Sequence, residues 1–164
     1  MNNNHYIKKR VAFFPDNRQI FIEQQRLHCE DWRETGSDSM ITLGNITLAS
    51  PLMLAPIAGF TDSPFRRIAR RHGASLVVTE LISAEGIVRN NRKTMDLLAY
   101  DEEERPVAVQ IFGNNAEIMA EAASIVEGLG PDIIDINMGC PARRICASGS
   151  GAALLLDPGK VFRI

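Results

Sequence analysis

Apolar residues in this chain come in short dense runs separated by amphipathic stretches. The runs are "LMLAPI" (52–57), "SLVVTEL" (75–81), "RPVAVQIFG" (105–113) and "DIIDINMG" (132–139). Each is too short for a helix and apolar on both faces, the signature of strands buried in a parallel sheet. Between them lie helical patterns. In "TDSPFRRIARRHG" (61–73), Asp62 or Ser63 is placed to cap and Pro64 fits the first turn, where its missing N–H costs nothing. Phe65, Ile68 and Ala69 then share an apolar face, with Arg66, Arg67, Arg70 and Arg71 mostly opposite, and Gly73 ends the helix. "RNNRKTMDLLAY" (89–100) and "NAEIMAEAASIVEGLG" (115–130) predict two more helices. The second is apolar at Ile118, Ala122, Ile125, Val126 and Leu129, and Pro131 stops it. A last helical region opens at "GSGAALLLDPGKVFRI" (149–164).

Ahead of this alternation, Gly44-Asn45 between apolar residues predicts a hairpin of Ile41–Leu43 against Ile46–Leu48. Residues 1–39 show no sustained period and end in the soft linker "TGSDS". The expected division is an N-terminal extension, or an over-long start, over 1–39, and an ordered domain over 40–164.

The connections are long enough for right-handed βαβ crossovers. No GxGxxG follows the first strand, which lowers the dinucleotide-binding option. Polar and glycine residues cluster just past each strand: Gly59-Phe60-Thr61, Glu80, Gln110 with Gly113, and Asn137 with Gly139-Cys140. In a (β/α)₈ barrel all such ends gather on one face, where chemistry takes place. Four βα units are half of a barrel, and a whole one takes about 250 residues. The expected fold is therefore α/β, the N-terminal half of a TIM barrel, truncated at residue 164.

Composition narrows the chemistry. The 18 Lys and Arg against 20 Asp and Glu give a net charge of −2. That excludes gripping nucleic acid by bulk positive charge, though not through a local basic patch. Three cysteines, Cys29, Cys140 and Cys146, form no CxxC and suit a reducing, cytoplasmic compartment. Neither a signal peptide nor a membrane span is visible.

Cys140 stands where a buried strand meets Gly139 and Pro141. A free cysteine is by type a small buried hydrophobe; at a strand exit it is also placed to act as a nucleophile or proton donor. His5, His28 and His72 are far off in sequence, so a Cys–His pair is poorly supported, and Cys140 with Cys146 is too small a set for a metal site. Asn137 shares a strand side with Asp135. Its amide either reads a planar ring or caps a turn. Gln110, among apolar neighbours, requires a hydrogen-bond partner, either a bound heteroaromatic ring or a nearby backbone group. Glu80 raises the same question with a charge: a general base, or a partner for an arginine. "GSGAALL" lacks the lysine of a phosphate loop and fits close packing better. Arg66, Arg67, Arg70, Arg71, Arg143 and Arg144 are candidates for phosphate contact, although a charge run on a helix is commonly a solvated face.

Taken together, "LMLAPIAGFTDSPFRRIARRHG", "VAVQIFG", "DIIDINMGCPARRI" and "GSGAALL" resemble the N-terminal half of a tRNA-dihydrouridine synthase, bacterial B-type, over about Ile41 to Val161. The resemblance implies an FMN-containing TIM barrel that reduces the 5,6 double bond of uridine in tRNA, with NADPH restoring the flavin. It implies that Pro56, Ile57, Ala58 and Gln110 contact FMN, that Asn137 lies beside the substrate uracil, and that Cys140 is the catalytic acid. No metal is implied. The family's further flavin contacts and its RNA-binding domain fall beyond residue 164, and Arg144 stands where a lysine is often found. Two alternatives remain at this point: an inactive barrel fragment that binds RNA weakly at most, and a dihydroorotate-dehydrogenase-like FMN enzyme.

Overall fold

The computed structural model describes residues 41–164. The expected division at residue 39, and any element before it, lie outside the described residues. The chain opens on the expected hairpin, β1 (Ile41–Leu43) antiparallel to β2 (Ile46–Leu48), turning at Gly44-Asn45. There follow β3 (Met53–Leu54), α1 (Ser63–Arg71), β4 (Leu76–Val78), β5 (Ile82–Ser83), α2 (Ala84–Val88) and α3 (Arg92–Asp96). A 3₁₀ turn at Glu102–Glu104 leads to β6 (Val107–Phe112), α4 (Ala116–Glu127) and β7 (Ile133–Ile136). The end of the chain holds α5 (Arg143–Ala147), a 3₁₀ segment at Gly151–Leu156 and α6 (Pro158–Arg163).

All pairings in the main sheet are parallel, in the spatial order β3, β4 with β5, β6, β7. This is the consecutive order of a half-barrel, with helices supplying the crossovers.

"SLVVTEL" differs from the single strand expected. β4 pairs β6 with Val78 opposite Ala108, and β5 pairs the same strand with Ile82 opposite Ile111. Four steps on one side thus match three on the other, a one-residue bulge at Thr79–Leu81. An inserted residue reverses which face the following side chains take. Leu76 and Val78 accordingly pack with Leu48 and Ala108 on one face of the sheet, while Ile82 joins the helix-side cluster with Val109 and Ile111. α2, which follows immediately, was not expected from the sequence.

Two apolar layers result. On the outer face, Val109 and Ile111 meet Met119, Ala122 and Val126 of α4, spaced three and four apart, together with Ile87 of α2. On the inner face, the hairpin packs Leu48, with Ile41, Leu43 and Ile46, against Leu76, Val78 and Ala108. The hairpin therefore closes the N-terminal end of the inner face, and the polar residues of β6 and β7 occupy the other end. Leu129, expected on the apolar stripe of α4, instead lies just past the helix and is exposed.

The face of α1 also requires correction. Asp62 caps the helix by accepting the Phe65 N–H, as expected. However, Arg66 is 2% exposed, whereas Phe65 and Ile68 are 44% and 54% exposed. The guanidinium turns inward because its donors are met there: Nε by the Glu104 carboxylate, Nη1 by the Thr61 carbonyl and Nη2 by the Ala99 carbonyl. The Ser63 hydroxyl and the Asp101 N–H also donate to Glu104. A buried charge pair is tolerated when its remaining hydrogen-bonding capacity is filled in this way.

Candidate functional site

The site lies where the C-terminal ends of the parallel strands meet. After β3 the backbone folds into a turn, with Phe60 N and Thr61 N both donating to the Ile57 carbonyl at 3.0 Å. The Thr61 hydroxyl, fully buried, accepts the Ile57 N–H at 3.1 Å, and Arg66 holds the Thr61 carbonyl. Gly59 supplies the positive φ of 79° that this turn needs. Ile57 and Phe60 are thereby presented outward, 50% and 66% exposed. The bulge after β4 brings Glu80 alongside, where its carboxylate accepts the Gly59 N–H. Glu80 thus takes a backbone partner, and among the described residues its carboxylate forms no ion pair with an arginine.

On the next two strands, Gln110 and Asp135 are direct partners in the β6–β7 register. Gln110 Nε2 donates to Asp135 Oδ2 at 2.5 Å. Gln110 Oε1 accepts from Asn137 Nδ2 at 3.0 Å. Asn137 Oδ1 in turn accepts the Cys140 N–H at 3.1 Å. The buried Gln110 amide has therefore found side-chain partners in place of the backbone group weighed for it from sequence. Asn137 does cap a turn, the one that carries Cys140, and is half-buried beside Gln110. An amide has two N–H donors and two acceptor lone pairs. Asp135 and Asn137 use one of each on Gln110, so it can still offer an N–H and a lone pair to a planar ring with alternating donors and acceptors.

Cys140 is a free thiol of intermediate exposure. Its carbonyl is held from behind by the Ala152 N–H at 3.0 Å and by the Cys146 Sγ at 3.4 Å. Gly151 permits this approach: a Cβ there would lie 2.7 Å from the Cys140 carbonyl oxygen, and its φ is +60°. "GSGAALL" is thus a packing element under the Cys140 loop, as its sequence favoured. Arg143 and Arg144 are exposed at the rim.

The structure links Gln110, Asn137 and Cys140 by hydrogen bonds at the ends of β6 and β7, and places the 56–58 loop after β3, with β4 between β3 and β6. Sequence reasoning placed Asp135 on the same strand side as Asn137 but gave it no role. No helix among the described residues is long and apolar enough to cross a membrane, and no group of three metal-ligating side chains occurs among them.

Comparison with known proteins gives the family. Residues 53–164 match the family model described as Dihydrouridine synthase (Dus). The chain is 45% identical over 126 residues to tRNA-dihydrouridine synthase B of Pseudomonas aeruginosa, covering 77% of this chain and 38% of that protein. It is 43% identical over 126 residues to tRNA-dihydrouridine synthase B of Pseudomonas putida, covering 77% and 37%. It is 44% identical over 126 residues to a probable tRNA-dihydrouridine synthase of Rhodobacter capsulatus, covering 76% and 39%. The chain thus spans less than two-fifths of the length of these relatives. With a parallel half-barrel, polar strand ends and a family match over residues 53–164, the chain belongs to the dihydrouridine synthase family, in its bacterial B-type subgroup.

Proposed function

We propose that this chain is the flavin- and uracil-facing part of an enzyme that reduces the 5,6 double bond of uridine in tRNA, with FMN as cofactor and NADPH as reductant. In this reading residues 40–164 form part of the FMN barrel and residues 1–39 precede it as an extension. The observation that carries the reading is the hydrogen-bonded series Gln110, Asn137, Cys140 across two adjacent strand ends.

The residues fit an isoalloxazine. Gln110 offers an amide with spare capacity, and the Pro56–Ile57–Ala58 turn after β3 offers apolar backbone and an exposed isoleucine. When bound, the flavin supplies the hydride that adds to uracil C6. Asn137 orients the uracil through its amide. Cys140 Sγ–H gives its proton to C5 from the face opposite the hydride, so the two additions saturate one bond. The turn held by Asn137 Oδ1 and Ala152 N fixes where the thiol stands, which is the positioning that general-acid catalysis requires. A uracil inside a stacked helix cannot reach a thiol at a strand end, so the nucleotide leaves its stack to react. Arg143 and Arg144 at the rim suit flanking phosphates.

The test is to incubate the complete enzyme with FMN, NADPH and unmodified tRNA and to measure dihydrouridine by mass spectrometry. Formation of dihydrouridine at defined positions is expected. Reoxidation of the reduced flavin by dihydroorotate-type substrates but not by tRNA would reject the assignment.

A further inference from the structure

Asp135 is the group in the site to which neither the resemblance nor the proposed chemistry gives a task. We propose that Asp135 is a positioning residue that sets the polarity of both site amides and so fixes the turn carrying Cys140; the inference rests on the functional reading above. An ionised carboxylate only accepts, and a backbone N–H only donates. The series runs between one of each: Asp135 Oδ2 at one end and the Cys140 N–H at the other. Gln110 must turn its NH₂ to Asp135, which leaves Oε1 toward Asn137. Asn137 must then turn its NH₂ to Gln110, which leaves Oδ1 for Cys140. Reversing either amide would set donor against donor or acceptor against acceptor at two contacts. One arrangement therefore satisfies every link, and it leaves both amides with a defined face toward the ligands.

This explains why a carboxylate stands in register with Gln110. An apolar residue there would leave a buried Gln110 N–H without a partner and the polarity of both amides held from the Cys140 end alone. The contrast is with Asp135 as a mere filler of the inner face, which predicts that polarity at this position does not matter.

The experiment is hydrogen exchange at single amides of the complete enzyme, read together with its half-reactions. In Asp135→Leu, exchange at the Cys140 N–H is expected to rise about tenfold, the scale of one lost hydrogen bond. Exchange at the Asn137 N–H, which donates to the Ile111 carbonyl in the strand ladder, is expected to hold. Oxidation of pre-reduced enzyme by tRNA is expected to slow about tenfold, with reduction by NADPH affected less. The decisive variant is Asp135→Asn with Gln110→Glu, which preserves volume and moves the acceptor-only group one place along the series. The carboxylate introduced at position 110 then accepts both from the amide introduced at position 135 and from Asn137, and protection of the Cys140 N–H is expected to return. Wild-type exchange at Cys140 in Asp135→Leu, equal loss at Asn137, or no recovery in the double variant would each overturn the proposal. If the exchange pattern holds while the wild-type enzyme makes no dihydrouridine, the relay stands and the proposed reaction falls.

Discussion

The Arg66–Glu104 cluster and the series that carries Cys140 are built to opposite plans. The Arg66–Glu104 cluster is ionic and sealed, with side chains 3% and 0% exposed. Its guanidinium and carboxylate are met by each other and by Thr61, Ala99, Ser63 and Asp101. The Asp135–Gln110–Asn137–Cys140 series is mostly neutral, only partly buried, and ends in a thiol whose sulfur is not used to hold the fold. The first is closed to a ligand by burial; the second keeps amide capacity and a proton. The sealed cluster still serves the open one, because Arg66 holds the Thr61 carbonyl and Thr61 shapes the turn that presents Ile57 and Ala58. Removing a residue from the sealed cluster should therefore act on stability first, and from the open series on reaction first.

Substitutions sharpen that contrast. The largest effect is expected for Cys140→Ala, which should lower the steady-state rate of dihydrouridine formation by ~10²–10⁴, the range for a positioned acid, while FMN content and melting temperature stay near wild type. Glu104→Ala should do the reverse. It leaves Arg66 buried without its carboxylate, which costs about 3–5 kcal/mol, measurable by denaturant unfolding. Gly151→Ala falls between the two clusters. Strain at its positive φ and the clash with the Cys140 carbonyl should cost about 1–3 kcal/mol and displace the thiol, so both melting temperature and rate should fall. The smallest change is expected for Arg71→Ala. Its pair with Glu103 is exposed on both sides, and unfolding should shift by no more than about 0.5 kcal/mol.

Much of the fold was legible because local signals agreed with the global one. The Gly44-Asn45 hairpin, the Asp62 cap and the four strands each had a physical cue within a few residues. Two features had none. The partner that draws Arg66 inward is Glu104, which is remote in sequence, so a run of arginines read as a solvated face. The bulge at Thr79–Leu81 carries no glycine; it shows only in the register against β6, which one strand alone cannot reveal. In the site, alternation placed Asp135 beside Asn137, but its partner Gln110 sits on another strand, and the polarity it imposes appears only when both are in register. Cys140 and Gln110 stood out as candidates because a thiol and an amide are unusual at apolar strand ends, and only the family resemblance gave them roles.

If Cys140 gives the proton and has no other part in the reaction, single-turnover oxidation of pre-reduced complete enzyme by unmodified tRNA separates wild type, Cys140→Ala and Cys146→Ala. Cys146→Ala is expected to reoxidise near the wild-type rate, since that thiol only leans on the Cys140 carbonyl. Cys140→Ala is expected to be reduced normally by NADPH and then to reoxidise ~10²–10⁴ more slowly. A Cys140→Ala enzyme that reoxidises at the wild-type rate and yields dihydrouridine would contradict this role for Cys140, as would one that loses its flavin.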